Sequence, residues 1–144
     1  MSKPLAIPPD AEHIPVDILT AGLAARAEDV TVGAYIPATF AAGSKPHMQV
    51  ALDGTPEVIY PILWKVTVRV TSWVAAQAGQ TVASTTEAKR LAALCQAILC
   101  SYPGSVSVAS VQPLTGVLPT RDPDTGAQLA SVSVRVNLRM TVLA

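Results

Sequence analysis

Lys65, Arg69, Arg135 and Arg139 are the residues best placed to act on something outside the chain. They occupy odd positions of two stretches whose even positions are apolar, and no acid falls on an odd position of either stretch. Cations on one sheet face make a locally positive surface, suited to a protein partner or to the phosphates of passing DNA. The same pattern also describes an ordinary solvated sheet face, and the residues alone leave both readings open. A second polar group, Thr120, Arg121, Asp122 and Asp124, lies in a long stretch punctuated by Pro and Gly. Loops of that length in compact domains are usually functional or disordered, so it is a candidate contact loop. Asp122, Asp124 and Gly126 resemble a fragment of a calcium loop, but the downstream Glu is missing and the segment reads as a turn.

Other chemistry is hard to find. His13 and His47 have no second His, Cys or carboxylate at ligand spacing. There is no Gly-rich phosphate loop, nucleophile elbow or His-Glu pair. Cys95 and Cys100, five apart on one helix, face directions about 140° apart and read as buried free thiols. The expectation is therefore a protein with no catalytic residues, no metal and no cofactor. It is an assembly protein and not an enzyme.

The 144 residues suit one domain. Ten basic residues balance ten acidic ones, so the chain has no general attraction for nucleic acid or anionic membrane. Half of the residues are hydrophobic, mean hydropathy is +0.40 and only 14% are charged. So apolar a composition on so small a body implies that part of the excess faces a partner. No apolar run reaches the ~18 residues of a membrane span, and Met1–His13 lacks the apolar core of a signal peptide.

The elements that must position the candidate residues follow from periodicity. Residues 1–14 form a Pro-rich arm, extended and mobile unless a partner orders it, ahead of one domain over 15–144. Val16, Leu19 and Leu23 predict a helix at about 15–27. Val30, Val32 and Ala34 predict a strand; Met48, Val50 and Leu52 predict a second, ending at an Asp53-Gly54 turn. Pro56 and Pro61 then break the chain. Ile62 to Val74 alternates as one long strand, and Ser84-Thr85-Thr86-Glu87 reads as a capping box opening a helix that Tyr102-Pro103-Gly104 stops. Val106 and Val108 open a fourth strand, 113–128 is the long loop, and Val132 to Val142 alternates to the C-terminus. The predicted class is α+β, a mostly antiparallel sheet with two helices on one face, in the order α-β-β-β-α-β-β. Strands of about 13 residues reach roughly 43 Å, against a diameter of about 37 Å for a compact domain of this length. Such strands expose edges for a neighbouring subunit.

This arrangement resembles the tail terminator proteins of long-tailed bacteriophages. The likeness lies in an N-terminal helix before two short strands and in a long strand, Ile62 to Val74, running into a capped helix, Ser84 to Cys100. It lies also in a final hairpin whose loop reads Leu118-Pro-Thr-Arg-Asp-Pro-Asp-Thr-Gly-Ala127. The resemblance covers residues 15–143. It implies a homo-oligomeric ring, a hexamer, that caps the tail tube, stops its polymerisation and offers a surface to the head connector or head-completion protein. DNA would pass through the lumen without sequence-specific binding. The protein would reside in the virion at the tail end or neck, and in the host cytoplasm during assembly. Lys65, Arg69, Arg135 and Arg139 would then face a subunit boundary or the lumen, and the Thr120–Asp124 segment the tube or an adjacent subunit. The nearest rival is another ring protein of the head–tail neck; a small ligand-binding domain is a more distant one.

Overall fold

The structure is a computed structural model that describes residues 3–80 and 83–143. In chain order its elements are β1 (Ala6–Ile7), α1 (His13–Ala25), β2 (Thr31–Gly33), β3 (His47–Ile59) and β4 (Leu63–Val74). There follow α2 (Thr85–Cys100), β5 (Val108–Arg121), β6 (Gln128–Arg139) and β7 (Thr141–Val142). Five strands make one sheet in the order β2-β3-β4-β6-β5, antiparallel except for the β2–β3 pair. The expected α+β class and element order are those observed, with β1 and β7 added as a separate antiparallel ribbon. Because β6 pairs antiparallel with both, β4 and β5 run parallel, joined through α2, with β6 inserted between them.

Alternation explains why the sheet has a dry face. Val66, Val68 and Val70 of β4 and Val132, Val134 and Val136 of β6 point to one side and are buried with Met48, Val50 and Val108. Leu19 and Leu23 of α1 and Leu91, Cys95 and Leu99 of α2 close over them. Each such side chain contributes about 1.5–3 kcal/mol by leaving water. On this face Ser72 is fully buried, and its hydroxyl donates to the Ala88 carbonyl of α2 at 2.6 Å, tying helix to sheet. The helices approach closely where α1 carries Gly22: a Cβ there would lie 2.5 Å from Ile98 Cγ2.

The helix ends follow from their caps. Asp10 Oδ1 accepts from the amides of Glu12 and His13, both at 3.1 Å, which starts α1 at His13, two residues inside the segment expected to be an arm. Ser84 Oγ accepts from the Glu87 amide at 3.1 Å, half of the capping box. The Glu87 carboxylate turns away to Arg90, which also holds Glu28 through two hydrogen bonds. In the connection between β4 and α2, residues 81 and 82 lie outside the described residues, as do Met1, Ser2 and Ala144.

Several boundaries differ from those expected. The Asp53-Gly54 signal does not end β3. The strand runs on to Ile59, with a register irregularity between Asp53 and Glu57 and with Gly54 at φ +73. A bulge absorbs Gly, Thr and Pro by leaving the extra residues unpaired, so three residues of turn chemistry sit inside a strand. Nor is 113–128 a loop: β5 continues to Arg121, paired with Gln128, leaving only 122–127 as the turn. Register shifts on either side of Thr115 hide the alternation that would have marked it as a strand. The final strand breaks at Met140, and Val142, expected in the core, is exposed in β7. The arm is pinned within the chain: Ala6 pairs with Val142, while the Tyr60 hydroxyl donates to the Pro4 carbonyl and accepts from the Ala6 amide. The long strands β4 and β6 offer no free edges, because each is paired on both sides; the outer edges of the sheet belong to β2, to β3 beyond its three pairs with β2, and to β5.

Candidate functional site

The face of the sheet opposite the helices gathers all four expected basic residues. Lys65 lies across from Asn137, Thr67 from Arg135, Arg69 from Ser133 and Leu63 from Arg139, so the charges run along two adjacent central strands. Their environments differ. Arg139 donates from one guanidinium nitrogen to the backbone carbonyls of Ser105 and Val108, the latter at 3.1 Å. It thereby holds the turn after α2 against the start of β5. Arg135 is half-buried; it meets Glu57 at 3.5 Å, and its Nε is buried without a hydrogen-bond partner. Arg69 lies 3.9 Å from Asp53, both half exposed, a loose pair worth little in solvent. Lys65 sits between Glu57 and Asn137 in register.

Asp53 and Glu57 are therefore part of this surface, and the sequence reading missed them. The two long alternating stretches carry no acid, but β3 lies beside β4 and brings two carboxylates onto the same face. The face is one of mixed charge and not a continuous positive strip. Inferring that β3 passes through Gly54-Thr55-Pro56 would have placed both acids.

Around the charges the face is polar and well bonded. The hydroxyls of Thr71 and Ser131 meet at 2.9 Å, and the Ser133 amide donates to Thr115 Oγ1 at 2.9 Å. Asn137, 8% exposed, donates to Ser110 Oγ at 2.7 Å while its Oδ1 is buried unpartnered. Between Arg69 and β5 lies an open groove of about 430 Å³ with Asp53, Thr115, Leu118 and Ser133 on its walls. Thr120 also borders it, whereas Arg121, Asp122 and Asp124 belong to the hairpin end. There Asp122 Oδ2 accepts from the amide and hydroxyl of Thr125, which hold its carboxyl below the ordinary range. With Gly126 at φ +71, this carboxylate locks a tight turn and is occupied in doing so. Asp124 is exposed.

The far end of the same face is apolar. Trp73 packs edge-on against Phe40, with Ala75, Ala127 and Leu129 beneath them, and donates to Gln49 Oε1 at 3.2 Å. Beside it His47 is buried, its Nδ1 2.6 Å from Thr31 Oγ1 and its Nε2 without a partner. Burial holds this imidazole below its ordinary value, with the Tyr35 backbone acting in the opposite sense. His13 meets only Asp17, at 3.1 Å on the surface. Burial pushes the Cys95 thiol up to about 12, and Cys100 is also raised. Among the described residues, no three of His, Cys, Asp and Glu converge to hold a metal ion. No helix there is long and apolar enough to cross a membrane.

No protein-family model matches this chain, and no curated protein matches it either.

Proposed function

We propose that the chain is a ring-forming assembly protein of a long-tailed bacteriophage, a tail terminator that caps the tail tube and joins the tail to the head connector. The observation that carries the reading is the element order. An N-terminal helix, a long strand passing into a capped helix and a closing hairpin make one mostly antiparallel sheet with both helices on one side and much of the other side open. A sheet left open on one face presents rigid, patterned side chains over a wide area, which suits protein contact better than a reaction. Stopping tube growth needs no bond chemistry: a subunit that fits the last exposed interface and cannot propagate it is sufficient. A closed ring uses two different patches of each subunit. The mixed-charge face, with Lys65, Arg69, Arg135 and Arg139 opposed by Asp53 and Glu57, provides complementary charges for such a boundary. That mixture favours a subunit or tube contact over a DNA-lining role, because two of the four cations already face carboxylates and a protein partner can match both signs.

The test is tube growth in solution. Purified tail tube protein from the same phage, polymerising alone, gives tubes of unlimited length. Substoichiometric addition of this protein should arrest growth, read by light scattering and by length distribution. Tubes that lengthen at an unchanged rate contradict the proposal.

A further inference from the structure

Three segments distant in sequence meet at one end of the sheet: Pro4–Ile7, the β3–β4 hairpin tip at 58–62, and the C-terminal strand at 141–143. Backbone and side-chain bonds join them. Tyr60 bonds Pro4 and Ala6 through its hydroxyl, the Leu143 amide donates to the Leu5 carbonyl, and the Met140 amide donates to the Ile62 carbonyl. None of the residues in 4–9, 58–64 or 140–143 is charged. Yet Leu5 is 70% exposed and Ile62 63%, with Ile7, Tyr60, Val142 and Leu143 also exposed. Two of these segments escape the period-2 pattern that buries the rest of the strands, so the alternation of the core strands does not account for them.

We infer that this uncharged end is a self-association surface whose occupant is a second copy of the chain. The area fits. Together with Val58 and Ile59 of the same tip, which are also exposed, side chains of these sizes at these exposures present roughly 800 Å², the share that each partner contributes to a standard protein interface. Charge is depleted at the centre and an aromatic anchor, Tyr60, is present, the composition that marks the core of an interface. The absence of charge fits neither nucleic acid nor an anionic membrane. The rest of the sheet offers a second copy little purchase. The outer strand β2 has three residues and covers β3 only at His47–Gln49. The edge that β3 keeps beyond them is broken by the irregularity between Asp53 and Glu57 and by Pro56, and the outer strand β5 is interrupted by register shifts and by Pro113 and Pro119, the devices that keep sheet edges from pairing. The strands of the β1–β7 ribbon have two residues each and the Ala6 amide is already bonded to the Tyr60 hydroxyl, so it is the apolar side chains of this end that a second copy would bury.

The inference does not need the tail reading, and its test is separate. The mass of the full chain is measured by sedimentation velocity and light scattering across a concentration series. The double variant Leu5→Lys, Ile62→Lys is the probe, and Arg26→Ala, Lys89→Ala, at exposed positions at the end of α1 and on α2, the control. Both probe positions are exposed, so the melting temperature should be unchanged, and circular dichroism checks it. Expected is a rise in mass with concentration for the native chain and the control, and loss of that rise in the probe. A native chain that stays monomeric throughout, or a probe that associates like the native chain, overturns the inference. A closed dimer dispersed by the probe supports it while removing the ring from the proposed function.

Discussion

Replacing Arg139 with Ala should destabilise the fold, whereas replacing Lys65 and Arg69 together should not, although all three lie on one face. Arg139 gives a charged nitrogen to two backbone carbonyls, those of Ser105 and Val108; the Val108 carbonyl also accepts from the Ser105 amide at 3.0 Å, so the Ser105 carbonyl is the one that depends on Arg139. Hydrogen bonds to charged groups contribute about 1.5–3 kcal/mol each when buried. This side chain is exposed, so solvent can replace part of the bonding, and a loss of about 1–2 kcal/mol for the pair is reasonable. For a domain of this size each kcal/mol moves the melting temperature by roughly 2–4 °C, giving a fall of about 2–8 °C for Arg139→Ala. Lys65 and Arg69 have only the 3.9 Å contact to Asp53 between them. Arg69 is exposed and Lys65 half-buried with no bonded partner among the described residues, and surface changes of that kind stay within about 0.5 kcal/mol, or roughly 2 °C. Differential scanning calorimetry on the two variants at neutral pH decides the matter. A Lys65→Ala, Arg69→Ala protein that melts as low as Arg139→Ala, or an Arg139→Ala protein that melts like the native chain, refutes the division of this face into a structural end and a free end.

Burial depresses the His47 pKa, so the folded protein takes up its proton less readily than the unfolded chain, whose value is 6.5. Stability from this group is full above that value and falls as pH drops below it. Thermal melts from about pH 8 to about pH 5 should show that fall, and His47→Asn should flatten it. Gly22→Val forces side-chain atoms into Ile98 of the facing helix and should cost about 1–3 kcal/mol, less a few tenths regained in helix propensity, read by urea unfolding. Cys100, half buried, should react with a thiol reagent well before Cys95, whose thiol is buried and held up at about 12; equal rates in native buffer contradict that order.

The fold was legible because its core obeys simple periods. Val66, Val68 and Val70 and Val132, Val134 and Val136 give β4 and β6 by alternation alone, and Ser84 with the Leu91, Cys95 and Leu99 stripe gives α2. Legibility failed where local chemistry and tertiary pairing disagree. Gly54-Thr55-Pro56 has the residues of a turn, yet the neighbouring long strand gives Glu57, Val58 and Ile59 partners in Lys65, Trp64 and Leu63, and the strand resumes. Likewise Pro113, Gly116 and Pro119 read as loop, but β6 pairs with β5 past each irregularity up to Arg121. Both errors affected the candidate face. The first hid Asp53 and Glu57 from it, and the second made a short locked turn at Asp122 look like a long contact loop. The four basic residues fall on one face because they lie on the strands whose alternation is uninterrupted. The apolar end was visible in principle: Val58, Ile59, Tyr60 and Ile62 are too apolar for a hairpin tip that nothing covers.

The central claim, a ring that terminates a tail tube, is tested most directly by electron microscopy of tails assembled with and without this protein. With the protein present, the account predicts tails of uniform length, each closed at one end by a sixfold ring that disappears when the protein is omitted. Tails of the same length and the same end structure in both preparations would contradict it.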